Sequence, residues 1–270
     1  MKHIALISGI TFQEGLRNRI LASILFFAVV VFALNFILAD SFNFDLSKVA
    51  VDISMSAISI CSLLVVFVLC ISQLSRDIDR RIVFMFLARP MARHEYILGK
   101  FFGFASLLLA VELLLGAGGG LSVYVITLLK PAYIAGHFNW PTFFLALAFH
   151  LLGCLIVLAT AIFFAIFASS QLLAVLFTLG IYFAGHYLEK VITVLKQQLV
   201  FGEQDALLTW ALHIVSWLLP NLAAFDLKQQ AAYGLPLDPS LIGWTVLYGL
   251  VYTGLFLTAA ILHFNRKELS

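Results

Sequence analysis

Residues 76–100 read RDIDRRIVFMFLARPMARHEYILGK and contain 9 of the chain's 30 Asp, Glu, Lys and Arg residues. This charged stretch separates two long apolar runs, at about residues 54–74 and 101–129. A membrane-spanning helix needs about 20 mainly apolar residues, and both runs are long enough. The pattern therefore predicts a helical membrane protein in which the charged stretch forms a loop in water.

The composition of the whole chain supports this class. Hydrophobic residues make up 63% of the 270 residues and charged residues only 11%, which is more apolar surface than one soluble core could bury. The net charge is +2 and the basic residues are spread over separate loops, which argues against nucleic-acid binding. The three cysteines lie inside apolar runs and are expected to be buried hydrophobic side chains rather than disulfides or metal ligands.

Six segments are long and apolar enough to span a bilayer. They cover about residues 20–39, 54–74, 101–129, 141–168, 171–195 and 241–264. An even number places both termini on one side, and with that side in the cytoplasm 11 Lys and Arg residues lie inside and 5 outside. This excess follows the positive-inside rule. We therefore expect an all-α, multi-pass protein of the cell (inner or plasma) membrane, a single domain over residues 1–270, with both termini cytoplasmic.

The N-terminal segment, residues 3–19, predicts an amphipathic helix on the cytoplasmic surface of the membrane. One face of this helix is apolar and a second face is polar. The apolar face contains Ile4, Ile7 and Ile10, and the polar face contains Thr11, Glu14 and Asn18.

The segment between the fifth and sixth spans, residues 196–240, is too long for a simple turn. It contains the apolar run Leu207–Leu219, which ends at Pro220 and is too short to span. Trp210 and Trp217 are two helical turns apart, as suits a face at the level of the lipid headgroups. We expect a helical extracytoplasmic cap over the outer end of the bundle.

The charged loop is expected to consist of two helices separated by a break. Pro90 moves Arg89 away from helical geometry and is itself suited to the first turn of a new helix. Phe84 and Phe86 could then fill a groove on a partner, while the arginines pair with its carboxylates. The alternative is a solvated loop whose charges only set the topology.

Five stretches of the sequence resemble the ABC-2 type permeases, the membrane subunits of one class of ATP-binding-cassette exporters, in the subgroup of copper-enzyme maturation and drug export. Two of these stretches lie in the charged loop, one lies before the first span, and two lie in the last outer loop. They are LARPMAR at 87–93, EYILGK at 95–100, TF with LRNR at 11–19, LPNL at 219–222 and FDLK at 225–228. Their order and the six-span layout match the family over most of the chain.

The resemblance implies that the loop at residues 76–100 is a coupling helix that docks on a separate cytoplasmic ABC ATPase. Many members have a small residue, often Gly, where this chain has Arg81. Carried over position by position, docking falls on Asp79, Arg80, Ile82, Phe84, Leu87, Arg89, Pro90 and Arg93. The family also implies a pair of permeases, either a homodimer or two related chains, in the lipid bilayer.

The chain itself is not expected to be an enzyme. Cradling a nucleotide's phosphates needs the pattern Gly-x-x-x-x-Gly-Lys-Ser/Thr, but Gly99-Lys100 has His94 in place of the first Gly and Phe101 after the Lys. ATP and Mg²⁺ are therefore expected in the partner ATPase, and no cofactor or metal is expected in this chain.

Glu112 lies among apolar residues of the third span. A carboxylate at the centre of a bilayer costs about 2.5 to 3.5 kcal/mol on insertion scales, so it normally faces a partner or a watery cavity. Two interpretations stay open: a polar point on a substrate path or proton-linked switch, and a hydrogen-bonded carboxyl that locks helices together.

Small residues follow Glu112 in the third span. Gly116 and Gly120 have the four-residue spacing that allows close helix packing, within one subunit or at a dimer seam. His150 and His186 lie in neighbouring spans, where paired histidines could hold a haem; we expect satisfied polar side chains instead.

The expected function is therefore an ABC transporter permease, an exporter whose substrate the sequence leaves open. Two alternatives belong to other classes: a membrane scaffold or maturation subunit without transport, and an ion-coupled secondary carrier that uses Glu112.

Overall fold

The computed structural model describes residues 2–41, 46–79, 92–129, 139–199, 219–235 and 239–266. The described residues are almost entirely helical, and no strand occurs among them. The long elements, in chain order, are α1 (Lys2–Leu16), α2 (Arg19–Ser41), α3 (Leu46–Leu64), a π-helical turn (Val65–Cys70), α4 (Ile71–Asp79), α5 (Arg93–Leu129), α6 (Trp140–Phe167) and α7 (Gln171–Leu199). A 3₁₀ turn (Leu222–Phe225), the short helix α8 (Lys228–Tyr233) and the long helix α9 (Pro239–Arg266) follow.

Five helical runs are long and apolar enough to cross a membrane. They are Lys48–Ile78, Arg93–Leu129, Trp140–Phe167, Gln171–Val191 and Pro239–Arg266. The number is six if the bent pair of α1 and α2 is taken as one span. Each run contains most of one segment predicted from the sequence, and the predicted 20–39 segment falls within α2. The chain is thus a helical protein compatible with insertion in a membrane.

The two ends of the bundle differ in the elements that meet there. The loop end is where α4 finishes and α5 begins, on either side of residues 80–91. Three other helix ends lie there as well. Gln171, at the start of α7, donates to Ser72 at 2.7 Å, and Arg93 contacts the last turn of α9. Asn18, at the start of α2, lines one cavity with Gln73 of α4. The opposite end is the far end.

The N-terminal helix α1 is separate from α2, because the helical conformation is broken at Arg17 and Asn18. The Asn18 side chain accepts a hydrogen bond from the backbone N–H of Ile20 at 3.0 Å, which is the usual role of an asparagine that caps a helix N-terminus. The two helices meet at a bend of 58°. The predicted helix at residues 3–19 therefore ends earlier, at Leu16, and Arg19 already belongs to α2.

The face that α1 buries differs from the predicted apolar face. The helix packs along α5 through Ile7, Thr11 and Gly15, whereas Ile10 is exposed. A side chain at Gly103 would place its Cβ 2.6 Å from that of Thr11, so the glycine permits this close approach. The assignment of Thr11 to a polar face apart from Ile7 was wrong, because the two residues are one helical turn apart and pack on two glycines of α5, Gly99 and Gly103.

Helix α5 lies at the centre of the bundle and contacts α1, α2, α3, α6 and α9. Its glycine-rich stretch packs against neighbouring helices of the same chain. Gly116 faces Leu147 of α6, Gly119 faces Ile58 of α3, and a Cβ at Gly120 would approach the Phe143 ring at 3.6 Å. Gly116 and Gly120 thus have partners within one subunit.

The far-end segment, residues 219–235, folds back onto the bundle. Leu222, Phe225 and Ala231 are buried, and α8 packs on α3 and α6. Helix α8 ends at Gly234, whose φ of 60° is the left-handed conformation that glycine adopts readily at a helix C-terminus. Residues 200–218, where the predicted apolar run with Trp210 and Trp217 falls, lie outside the described residues.

Candidate functional site

Glu112 lies close to the midpoint of the 37-residue helix α5 and is only 4% exposed. Its two carboxyl oxygens contact two different helices. The Ser62 hydroxyl of α3 donates to Oε2 at 2.7 Å, and Nδ1 of His150 in α6 lies 2.8 Å from Oε1. The carboxyl group therefore joins three helices near the middle of the bundle.

The pairing of a carboxyl group with an imidazole allows a proton to be held between them. With Nδ1 protonated, His150 donates to Glu112, and the Sγ of Cys154 lies 3.9 Å from Nδ1 and 3.7 Å from Nε2 of the same ring. His150 is 19% exposed, whereas Glu112 is closed off. Of the two side chains, His150 is therefore the more accessible to water.

His150 forms part of the wall of an open cavity of about 410 Å³. The lining combines apolar side chains with side chains that can form hydrogen bonds. The polar lining consists of Ser59, His150, Cys154, Tyr182, His186, Asp226 and Lys228, and the apolar lining includes Leu63, Val157, Leu222 and Phe225. Polar groups from the middle of the bundle and from the far-end segment thus meet in one cavity.

His186 and Asp226 form a second acid and imidazole pair at this cavity. Nε2 of His186 lies 3.5 Å from Asp226 Oδ2, and the two side chains are 23% and 29% exposed. Partial burial acts to raise the pKa of Asp226, but the hydrogen bond with His186 and the positive charge of Lys228 outweigh it, so the pKa is lowered. Asp226 is therefore ionised at neutral pH and can accept a hydrogen bond from the His186 ring.

The far-end segment lines the cavity with an aromatic wedge, the side chain of Phe225. Phe225 packs against Gly153 of α6 and Gly249 of α9, where added Cβ atoms would lie 3.2 and 3.0 Å from its side chain. The backbone N–H of Asn221 donates to the Tyr248 hydroxyl at 2.7 Å, and its side-chain amide donates to Glu189 at 3.1 Å. Three helices, α6, α7 and α9, therefore hold this segment through both apolar and polar contacts.

The loop end contains a buried polar cluster, the loop stem, which consists of Asp77, Tyr96 and Lys100. Lys100 Nζ lies 2.5 Å from Asp77 Oδ2, and the Tyr96 hydroxyl donates to the same oxygen at 3.3 Å. Lys100 is 3% and Asp77 6% exposed. Because these residues belong to α4 and α5, the stem ties together the two helices that flank residues 80–91.

Arg93 connects the same region to α9. Its guanidinium Nη1 donates to the backbone carbonyls of Phe264 and Asn265, at 3.1 Å each, and Tyr96 stacks on the Phe264 ring. A cation at the C-terminus of a helix is favoured because it faces the negative end of the helix dipole. Of the residues predicted to dock on an ATPase, Arg93 is thus engaged within its own chain.

The other predicted docking residues lie outside the described part of the chain. Asp79 ends α4, but its side chain is not described. Arg80, Ile82, Phe84, Leu87, Arg89 and Pro90 all fall within residues 80–91. Their role stays a prediction.

The sequence singled out Glu112 but missed its partners Ser62 and His150. The signal that could have found them is that ionisable groups inside a membrane usually face one another, and Glu112 and His150 lie in consecutive spans. His150 and His186 do line one cavity. Within the described ranges, no group of three His, Cys, Asp or Glu side chains is arranged to hold a metal ion.

No protein-family model matches this chain, and a comparison with characterised proteins gave no match. The geometry and the sequence motifs therefore carry the functional argument alone.

Proposed function

We propose that this chain is the membrane-spanning permease subunit of an ATP-binding-cassette exporter. In this proposal the substrate passes through the bundle beside Glu112 and His150, and a separate cytoplasmic ATPase that binds ATP and Mg²⁺ supplies the energy. Two permease chains and two ATPase subunits make up the transporter in the cell membrane, with the loop end and both termini on the cytoplasmic side.

The observation that carries this proposal is the loop stem. A loop that transmits force from an ATPase needs flanking helices that move as one body, because a loose attachment would absorb the movement. The buried Asp77–Lys100 pair joins α4 to α5, and Arg93 and Tyr96 join α5 to the end of α9. Displacement of residues 80–91 would then reach three helices at once.

The cavity supports the transport part of the proposal. It connects the polar centre of the bundle with a far-end segment that packs as a wedge. Two of the five stretches that resemble the permease family, LPNL and FDLK, lie in this far-end segment. A path that is closed on one side is what alternating access requires of one of its states.

Capture of the partner tests the proposal. The tagged chain is purified from its native membranes in mild detergent, after crosslinking through a photoreactive residue at position 87. We expect a captured protein that contains Gly-x-x-x-x-Gly-Lys-Ser/Thr, and we expect Phe84→Ala or Arg89→Ala to reduce its yield. Arg19→Ala, an exposed arginine at the same end, is the matched control.

Two results would contradict the docking claim. One is a crosslinked partner without any nucleotide-binding loop, which would favour the scaffold alternative. The other is equal capture of the ATPase by the Phe84 and Arg89 variants and by the wild-type chain.

The Glu112–His150 pair favours a second candidate, an ion-coupled carrier. A buried carboxyl group in contact with an imidazole at a cavity is a suitable place to take up and release a proton. The purified chain in vesicles without an ATPase would then carry protons along an imposed pH gradient. A pH-sensitive dye inside the vesicles would report acidification, and Glu112→Gln would abolish it. Absence of this proton flux, with the ATPase present among the captured proteins, would decide for the exporter.

A further inference from the structure

A second cavity lies at the loop end, in the angle between α1, the start of α2 and α4. It has a volume of about 940 Å³ and opens to the surface. Its polar lining consists of Gln13, Glu14, Arg17, Asn18, Gln73 and Arg76. None of these side chains belongs to the proposed transport path or to the loop stem.

Gln73 is the feature that indicates a ligand. Its side chain lines the cavity but is only 1% exposed, and neither its amide nitrogen nor its amide oxygen has a hydrogen-bond partner among the described residues. An unpaired buried amide is expensive, because it has lost its bonds to water and gained none in return. A ligand with hydrogen-bonding oxygens would supply what this group lacks.

The charges of the cavity indicate that the ligand is an anion. Arg17 and Arg76 contribute two guanidinium groups and Glu14 one carboxylate, so the lining is net positive. One N–H of Arg76 donates to the Ser72 carbonyl at 3.2 Å, and among the described residues the other four N–H groups of its guanidinium have no such bond. Helix α2 begins beside Asn18, and the positive end of its dipole adds to this field.

The surroundings of the cavity indicate that the anion belongs to a lipid. Ile10 lines the cavity itself, and the neighbouring Leu6, Leu16 and Ile20 are large apolar side chains that the bundle leaves exposed. Apolar side chains beside basic groups at the end of a membrane bundle allow one lipid to contact both, with its acyl chains on the apolar side chains and its phosphate on the basic groups. Glu14 could accept hydrogen bonds from hydroxyl groups of the same headgroup.

We propose that this cavity binds the headgroup of an anionic phospholipid, with its phosphate between Arg17 and Arg76 and a phosphate oxygen on the Gln73 amide. The proposal rests on insertion of the bundle in a membrane and does not depend on the transport role. The ligand proposed is a lipid phosphate. A free phosphate ion has the same chemistry, and the experiment distinguishes the two ligands.

Native mass spectrometry of the full chain in neutral detergent provides the test. The probes are dioleoyl phosphatidylglycerol, dioleoyl phosphatidylcholine and inorganic phosphate. We expect phosphatidylglycerol to bind in preference to phosphatidylcholine, Arg17→Gln to weaken its apparent affinity about fivefold, and Arg17→Gln with Arg76→Gln about 30-fold. Arg19→Gln, one position beyond Asn18 and outside the cavity lining, should bind as the wild-type chain does.

Gln73→Leu separates ligand binding from a structural role. Leucine has a similar volume and no unpaired amide, so the lipid-free variant should melt at the same or a higher temperature. Its affinity for phosphatidylglycerol should nevertheless fall, which a structural role alone would not produce.

Three results would overturn the proposal. The first is equal binding of phosphatidylglycerol and phosphatidylcholine. The second is unchanged affinity in the double arginine variant. The third is arginine-dependent binding of inorganic phosphate without retention of phosphatidylglycerol, which would assign the cavity to a free anion.

Discussion

Replacement of Lys100 by methionine tests the loop stem. The Lys100 and Asp77 charges are 2.5 Å apart and both side chains are buried. With an effective dielectric constant of about 20, their attraction is about 7 kcal/mol, but the cost of removing two ions from water offsets most of it. The variant loses the attraction and keeps the cost of the buried Asp77, whose remaining partner among the described residues is the Tyr96 hydroxyl at 3.3 Å. We expect a loss of about 3–5 kcal/mol in the free energy of unfolding.

Unfolding of the detergent-solubilised chain by dodecyl sulfate, followed by circular dichroism, measures this loss. Addition of Asp77→Asn to Lys100→Met should restore most of the stability, because no unpaired charge then stays buried. Arg19→Met, at an exposed arginine of the same end, serves as the control. A single variant within about 1 kcal/mol of the wild-type chain, or a double variant less stable than either single one, would refute the reasoning.

Two further predictions concern other contacts. Gly103→Ala places a methyl group against Thr11 and should lower the free energy of unfolding by about 1–3 kcal/mol, whereas Gly9→Ala, which meets open space, should raise it by up to about 1 kcal/mol; equal effects in thermal unfolding would contradict the glycine seam. The pKa of Asp226 is lowered in the folded chain. The stability that its ionised carboxylate adds to the folded state is therefore complete above the usual carboxyl pKa of about 3.9, and it is lost as the pH falls through the lowered pKa. Hydrogen exchange of residues 219–235, corrected for intrinsic rates, should therefore accelerate at the lowest pH in the wild-type chain, and Asp226→Asn should already be fast at pH 7; a segment equally protected in both would contradict the prediction.

The helices could be predicted from the sequence because the length of an apolar run is a local property. The run at 54–74 is part of the longer helical run Lys48–Ile78, since polar residues such as Lys48 and Asp77 can extend a helix beyond its apolar centre. The π-helical turn at Val65–Cys70 could not be predicted, because no proline or glycine interrupts the sequence there.

The pairing of polar groups required information about several helices at once. The cost of a carboxyl group in a membrane singled out Glu112, but the choice between Ser62, His150 and other partners depends on how α3, α5 and α6 are rotated. Asp77 and Lys100 illustrate the same limit. Both were counted as charges of a loop in water, although helix formation on either side of residues 80–91 buries them together.

The burial of the two ionic contacts indicates which end of the bundle opens in the proposed transport cycle. The side chains of the Asp77–Lys100 pair are 8% and 4% exposed, whereas those of Asp226 and His186 are 29% and 23% exposed. Breaking a fully buried pair leaves its charges without water, while water can replace the partner at a smaller cost in a pair that is partly exposed. The Asp226–His186 contact can therefore be broken at a smaller cost than the Asp77–Lys100 contact. A push on residues 80–91 would then leave the loop stem intact, and the far-end segment would be the part that moves to open the cavity.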